Sequence, residues 1–381
     1  MNYLEKDIIA IAKRDNNNKR KFLLVDSLQG KHIPVSPEKT FELIKHLSDK
    51  VFSSYNTKNL LVIGFAETAT AIGALLASYA PFNVNYIHTT REIVEDSDYV
   101  FFSEEHSHAT EQKLVKNLLD KYLSEDTLII FAEDEVTTGK TIENIISILD
   151  RTYPLFHLRF GVASILNGMS IDKINELNKR NIKCHFILPV PKYNYDSILC
   201  SYEYTDNIKI RCSKIFNIRE HSDLSYSSLT INHYCDTRKG VSIRNYVQQC
   251  DVFSCQIVNT LNLSDLTNKR ILIIGTEEFM YAGLHFGHYL EKVTSGNSVL
   301  FHATTRSPIL PCTHSDYPIK CRYELTSFYD ELRTTYIYNL STYDYVYIIT
   351  DSQKETTGLA SLCDALVKND CKNITKIVWK Y

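Results

Sequence analysis

The chain has 381 residues, the length of about two ordinary domains, and with 44% hydrophobic and 23% charged residues each can bury a normal core. The net charge of −3, from 42 basic and 45 acidic residues, excludes the strongly basic face of a nonspecific nucleic-acid binder but leaves room for a basic pocket around a small anion. No apolar stretch approaches the roughly 18 residues of a membrane helix, residues 8–12 run into Lys13-Arg14-Asp15 without a signal-peptide core, and the ten cysteines all lie at or after Cys184 with no C-x-x-C pair, which is the usage of a reduced cytoplasmic protein.

In chain order, polar residues 15–21 separate a small N-terminal piece from the short strand Phe22-Leu23-Leu24-Val25. Ser36-Pro37 has the form of an N-cap followed by proline in the first helical turn, and Phe41, Leu43, Ile44, Leu47 and Val51 place apolar groups on one face of the helix it opens. Leu60-Leu61-Val62-Ile63, ending at Gly64, is an uninterrupted apolar run that suits a parallel strand covered on both faces. The pattern then alternates: helix 68–79, strand 84–87, helix 111–122, strand 128–131, helix 141–149, strand 157–164, helix 171–178 and strand 185–188. Such alternation predicts an open, mostly parallel α/β sheet flanked by helices, with ligands beyond the carboxyl ends of its strands. Residues 189–230 are rich in Tyr, Asn and Ser and lose the pattern, so the boundary between a first domain, 1–200, and a second, 201–381, is placed there. A second α/β series follows, with helix 247–261, strand 271–274, helix 282–289, strands 299–302 and 345–349, and a helix after Gly358.

The two series share matches in the same order and at nearly constant spacing. Asp26-x-x-x-Gly30 matches Asp236-x-x-x-Gly240, and Leu61-Val62-Ile63-Gly64 matches Leu272-Ile273-Ile274-Gly275. His88-Thr89-Thr90-Arg91 resembles Ala303-Thr304-Thr305-Arg306, and Thr137-Thr138-Gly139 matches Thr356-Thr357-Gly358. Convergent strand–glycine turns explain the Ile-Gly pair well and the Thr-Thr-Arg pair poorly. The expectation is therefore two mostly parallel open sheets, the second a degenerate repeat of the first. Aligned on Thr-Thr-Gly, Glu133 and Asp134 fall opposite Ser352 and Gln353, and Lys140 opposite Leu359. The second copy would then bind a ligand without catalysing, with Arg306 and Ser307 gripping an anion, unless Arg306 only ties the domains together through an internal carboxylate.

The densest constellation is L-I-I-F-A-E-D-E-V-T-T-G-K-T, residues 128–141: an apolar strand, adjacent acids, a loop of hydroxyl residues with a glycine, then a helix. A ribose 5-phosphate suits it. Gly139 lets the backbone turn and approach closely, and the amides opening the helix favour a phosphate. The hydroxyls of Thr137, Thr138 and Thr141 add donors beside Lys140, and Glu133 and Asp134 can accept bonds from ribose hydroxyls. An ordinary polar strand–turn–helix is the plain alternative. It is not a Walker A loop, since G-x-x-x-x-G-K is absent. Three further segments accompany it. The turn Gly64-Phe65-Ala66-Glu67-Thr68-Ala69-Thr70 follows its own strand, and a plain strand-to-helix turn accounts for it equally well. Arg91 ends the strand at His88-Thr89-Thr90 and can pair with a phosphate or carboxylate. Glu104 and His106, within Phe102-Ser103-Glu104-Glu105-His106-Ser107-His108, suit acid–base work or a metal, as they suit an exposed charged loop.

The 128–141 motif resembles the phosphoribosyltransferase signature, departing from it at Glu135, where the family usually has an apolar residue. Together with H-T-T-R-E, E-E-H-S-H-A and the later Thr305-Arg306-Ser307-Pro308, it is similar to the two-domain phosphoribosyltransferases with a C-terminal TRSP domain, found in bacterial tellurite-resistance and stress-associated operons. The resemblance covers most of the chain from Phe22 onward and is weakest over residues 189–230. It implies a type I, orotate-phosphoribosyltransferase-like fold and a role in making or salvaging a nucleotide-like metabolite. The substrates implied are 5-phosphoribosyl pyrophosphate and a nucleobase-like acceptor, with Mg²⁺, a pyrophosphate loop at Glu67 and Thr68, and a mobile loop over the site at Glu104–His108. The acceptor stays open, and so does a homodimer. A non-catalytic nucleotide-sensing regulator and an N-glycosidic hydrolase or phosphorylase remain as rival readings.

Overall fold

A computed structural model describes residues 3–15, 17, 20–57, 59–102, 112–217, 220–353 and 357–381. Its strands are β1 (Ile9–Arg14), β2 (Phe22–Asp26), β3 (Leu60–Gly64), β4 (Asn85–His88), β5 (Tyr99–Phe102), β6 (Gln112–Val115), β7 (Leu128–Val136), β8 (Arg159–Asn167), β9 (Lys183–Pro189), β10 (Lys209–Arg211), β11 (Ser225–Ile231), β12 (Val241–Ser242), β13 (Arg270–Gly275), β14 (Ser298–Ala303), β15 (Ile309–Leu310), β16 (Arg322–Thr326), β17 (Thr334–Tyr338), β18 (Tyr345–Thr350) and β19 (Asn373–Trp379). Its helices are α1 (Glu5–Ile8), α2 (Pro37–Phe52), α3 (Ala69–Ser78), α4 (Lys116–Tyr122), α5 (Lys140–Thr152), α6 (Ile171–Lys179), α7 (Tyr195–Cys200), α8 (Ile243–Thr260), α9 (Tyr281–Val293) and α10 (Thr357–Val367).

Two compact units result. The first is built from Phe41–Lys192 and Cys235–Gln248, the second from Leu4–Thr40, Tyr193–Tyr234 and Gln249–Tyr381. In the first, six strands stand in the order β12-β4-β3-β7-β8-β9. All but the antiparallel edge strand β12 are parallel, and β3 is buried along its whole length, which is why its sequence is an unbroken apolar run. Phe65 and Phe131 from the sheet pack with Ile142, Ile145, Ile146 and Leu149 of α5 in one core. In the second unit, five parallel strands stand in the order β11-β19-β18-β13-β14.

The repeat expected from the sequence is present in the topology. The run β4-β3-β7-β8 of the first sheet has the same order and direction as β14-β13-β18-β19 of the second. A hairpin follows the second strand of each: β5–β6 in the first unit and β16–β17 in the second. Each hairpin is tied back by one bridge, Thr90 to Lys113 and Thr305 to Tyr336. The Asp-x-x-x-Gly segments repeat in detail as well. Asp26 accepts a bond from the Leu28 amide at 2.8 Å and Asp236 one from the Arg238 amide at 2.9 Å. Gly30 and Gly240 are both left-handed, at φ 79° and 75°. Val35 then bridges Phe301 of β14, as Val241 pairs with Tyr86 of β4, both antiparallel. The segments are exchanged, however: the one from the N-terminal half adds to the second unit and the one from the C-terminal half to the first.

Three local readings change. Residues 112–115 are not the start of a helix but β6, paired with β5, and the helix begins at Lys116. Leu114, Val115 and Leu119 are all buried, and their spacing fits a helix as well as this strand and helix start, so apolar spacing alone did not decide it. β7 runs on through the acids to Val136 because β8 keeps pairing with it as far as Asn167. The hairpin β16–β17 and strand β19 were not among the expected elements: polar residues interrupt them, and Lys376, inside β19, is itself buried.

Candidate functional site

In the first unit the singled-out residues gather at the carboxyl ends of β3, β4 and β7. β7 is fully buried through Ala132 and half-buried at Glu133, Asp134 and Glu135, where it runs past the end of β3 and pairs with β8 alone. Gly139 then caps α5 with φ 82°, the left-handed conformation that glycine adopts without strain. A Cβ there would lie 2.7 Å from Met169 Sδ. The Gly168 amide donates to the Val136 carbonyl at 2.7 Å and ties the turn after β8 to this loop. Thr137 and Thr141 are half-buried, Thr138 and Lys140 exposed, and the Lys140 amide lies 3.4 Å from Thr138 Oγ1. Helix α5 is 13 residues long, enough to present a substantial positive end to an anion.

The turn after β3 is held from several sides. The Phe65 amide donates to the Ala132 carbonyl at 3.1 Å. The Ala66 amide donates to Thr89 Oγ1 at 2.7 Å, and that hydroxyl donates to Gln112 Oε1 at 2.5 Å. The Gln112 amide in turn donates to the Ala66 carbonyl. The Ala66–Glu67 peptide is cis, and Glu67 is buried, at 6% exposure, while Thr68 is half-buried. Thr89 and Gln112 therefore fix the backbone of the Glu67 turn. Sequence reasoning missed Gln112, which sat inside a stretch read as helix; only its pairing with β5 brings it to the turn.

Arg91 is half-buried just beyond Thr90, whose backbone pairs with Lys113. On the same strand end, His88 Nδ1 faces the Thr89 carbonyl at 2.8 Å, so that nitrogen carries the proton, and Nε2 accepts from the Thr237 hydroxyl at 2.9 Å. Asp236 pairs with Arg238 Nε at 2.8 Å beside it. The exchanged segment thus brings Arg238 to the carboxyl end of β4, a placement with no local signal in the sequence. Glu104 and His106 lie outside the described residues. Among the described residues no group of three or more His, Cys, Asp or Glu side chains is placed to hold a metal alone. The carboxylates of Glu133 and Asp134 fit Mg²⁺, a hard ion that completes its shell with water and substrate oxygens.

The second unit repeats these connections with different groups. The Glu277 amide donates to Thr304 Oγ1 at 3.1 Å, as Ala66 does to Thr89. Arg306, the counterpart of Arg91, places Nε 2.8 Å from Glu277 and Nη2 3.7 Å from Glu278, both carboxylates of its own unit. The Ser307 amide donates to Thr305 Oγ1 at 3.2 Å, and the Ser307 carbonyl accepts from the Tyr338 hydroxyl. The acid alignment drawn from Thr-Thr-Gly is corrected by the sheets. Gly64 stands beside Ala132 of β7, and Gly275 beside Ile349 of β18. Glu133 and Asp134 therefore correspond to Thr350 and Asp351, not to Ser352 and Gln353. The second copy has a longer link between acid and glycine, so it retains one of the two acids.

A phosphoribosyl transferase family model matches residues 8–190, and a model for the TRSP domain found C-terminal to that transferase matches residues 237–366. Among solved structures, adenine phosphoribosyltransferase from Rhodothermus marinus is 14% identical, covering 49% of this chain and 96% of its own, with a TM-score of 0.34. Adenine phosphoribosyltransferase from Trypanosoma brucei, in complex with AMP, pyrophosphate and ribose-5-phosphate, is 12% identical over 48% of this chain and 76% of that one, with a TM-score of 0.35. The UMP synthase of Leishmania donovani is 12% identical, covering 48% of this chain and 34% of that one, with a TM-score of 0.29. No curated protein matches the chain. No helix among the described residues is long and apolar enough to cross a membrane.

Proposed function

Because the chain belongs to the two-domain family in which a phosphoribosyltransferase domain is followed by a TRSP domain, we propose that its first unit transfers the phosphoribosyl group of 5-phosphoribosyl pyrophosphate to a ring nitrogen of a nucleobase-like acceptor. The observation that carries this reading is the run from Glu133 to Thr141: acids emerging from a buried strand, a left-handed glycine, then the start of a 13-residue helix. The 5-phosphate sits on the amides and hydroxyls of Thr137 to Thr141. Glu133 and Asp134 accept hydrogen bonds from the ribose hydroxyls. The Glu67 turn and Arg91 face the pyrophosphate or the acceptor, and the Thr89–Gln112 bonds keep that turn in place before the substrate arrives, so its order is not bought at the moment of reaction.

The bond from C1 to pyrophosphate breaks ahead of the new C1–N bond, leaving positive charge on the ribosyl ring. Pyrophosphate departs with the bonding electrons, the acceptor nitrogen supplies the new pair, and its proton passes to solvent or a nearby base. No covalent enzyme nucleophile is needed; catalysis lies in orienting the donor and stabilising the separating charges. Mg²⁺, when bound, neutralises pyrophosphate oxygens and makes the group easier to lose. The test is product formation: the chain is incubated with donor, Mg²⁺ and a pool of bases, and nucleotides are sought by mass spectrometry. One base should gain a ribosyl 5-phosphate; a folded chain that modifies none overturns the proposal.

A further inference from the structure

The strand-by-strand repeat gives each group of the first site a counterpart in the second unit. There the segment between β16 and β17, residues 327–333, is described throughout and lies on the strand ends. Its backbone packs against the first turn of α10: a Cβ on Gly358 would meet the Ser327 carbonyl oxygen at 2.7 Å and the Phe328 nitrogen at 3.0 Å. Around Gly139 the nearest atoms are instead side-chain atoms of Met169 and Lys173. The Tyr329 hydroxyl donates to Asp351 at 2.6 Å, the position where Asp134 would meet a ribose hydroxyl, and lies 2.8 Å from Thr276 Oγ1.

The same segment reaches the turn that matches the pyrophosphate loop. Ser327 Oγ donates to Glu277 at 2.5 Å, and Arg333 Nη1 lies 3.2 Å from that carboxylate, which Arg306 also contacts. Glu277 is fully buried, so its charge depends on these donors. The segment is also bonded within itself. The Ser327 amide donates to the Arg333 carbonyl at 2.9 Å, the Tyr329 and Asp330 amides to Ser327 Oγ at 3.0 and 3.2 Å, and the Arg333 amide to the Asp330 carbonyl at 3.0 Å. Ser352 Oγ donates to the Phe328 carbonyl at 2.8 Å, and Ser327 and Phe328 are almost fully buried.

We propose that residues 327–333 are a built-in occupant of the second site, standing where the phosphate and ribose of a donor would stand, so that each chain binds one phosphoribosyl donor and not two. A backbone carbonyl stands against the first turn of α10, a phenol takes the sugar hydroxyl's acceptor, and a guanidinium closes on the buried glutamate. The stoichiometry rests on the phosphoribosyltransferase reading of the first unit; the occupancy of the second site does not.

Two measurements on the full chain test it. Equilibrium dialysis with labelled 5-phosphoribosyl pyrophosphate and Mg²⁺ should give one donor per chain, and none for Gly139→Val. Two per chain, with one surviving in Gly139→Val, overturns the proposal. Hydrogen exchange should show the amides of Ser327, Tyr329, Asp330 and Arg333 protected without any ligand, and Tyr329→Phe or Arg333→Gln should speed their exchange about tenfold while β13 stays protected. Exchange at the rate of an open loop in the unmodified chain, or no change in either variant, overturns it even if the first unit binds no donor. A chain that binds no donor but keeps these amides protected refutes the transferase reading and leaves the occupied second site standing.

Discussion

Replacing Gly139 by valine tests the phosphate loop at its most constrained point. Gly139 stands at φ 82°, and a Cβ there would lie 2.7 Å from Met169 Sδ. Holding an ordinary residue in the left-handed region costs roughly 1–2 kcal/mol, and a β-branched one more. Met169 is flexible enough to move, so the backbone strain dominates. If the backbone relaxes toward ordinary helical angles, the amides of Lys140 and Thr141 turn away from the phosphate position. Each hydrogen bond to a charged group contributes about 1.5–3 kcal/mol, so losing two weakens donor binding by on the order of 3–6 kcal/mol, at least about a hundredfold. The fold itself should lose only about 1–3 kcal/mol, because α5 keeps its buried face of Ile142, Ile145, Ile146 and Leu149. Titration calorimetry with donor and Mg²⁺ reads the affinity, and circular dichroism the melting temperature. A folded Gly139→Val chain with the affinity of the unmodified protein would show that this loop holds no phosphate.

Further outcomes follow from the same site and from buried groups elsewhere. Asp134→Asn and Glu133→Gln should each lower transfer about ten- to a hundredfold, the loss of one charged hydrogen bond, with melting temperatures nearly unchanged because both side chains stand half-exposed at the end of β7; normal rates in both would remove the acids from the site. Gln112→Leu removes the donor to the buried Ala66 carbonyl and the acceptor of the buried Thr89 hydroxyl proton, and should cost about 2–4 kcal/mol in urea unfolding; a loss below about 0.5 kcal/mol would mean the Glu67 turn does not depend on it. Burial, then Lys31, His302 and Arg14, hold His32 well below the usual histidine value, and burial, then Lys183 and Lys50, bring His185 down to about 4. Both stay neutral when folded but take a proton when unfolded below about pH 6.5, so their stabilisation is full above that pH and falls as pH drops toward the folded values. The urea midpoint should therefore be lower at pH 5 than at pH 7.5, and His32→Gln should flatten the difference; equal midpoints would contradict it.

The parts of the fold legible in the sequence are those written in local pattern. The runs at Leu60–Gly64 and in β13 announce parallel strands because helices cover both faces. The hydroxyls and glycine of residues 137–139 announce a loop, while the acids of 133–135 just before it remain in β7. What the sequence conceals depends on long-range pairing. Asp26-x-x-x-Gly30 and Asp236-x-x-x-Gly240 declare a repeat, but nothing local says that each segment adds to the sheet of the other half. Gln112 acquires its place only through β5, and Asp351 is recognised only from the register of β13 against β18, because the link to Gly358 differs in length. Arg306 reads as an anion grip from its strand-end position, yet its partners, Glu277 and Glu278, follow another strand, β13.

The central claim is donor chemistry at the first unit, and pyrophosphate release measures it most directly. The chain is mixed with 5-phosphoribosyl pyrophosphate, Mg²⁺ and a pool of bases, and free pyrophosphate is followed by a coupled assay beside the Asp134→Asn variant. The account predicts pyrophosphate that appears with a nucleotide product, depends on an acceptor base, and falls at least about tenfold in the variant. Donor binding without pyrophosphate would point to a sensor, and ribose 5-phosphate released from a nucleotide with no donor present would point to a hydrolase; either result contradicts the account.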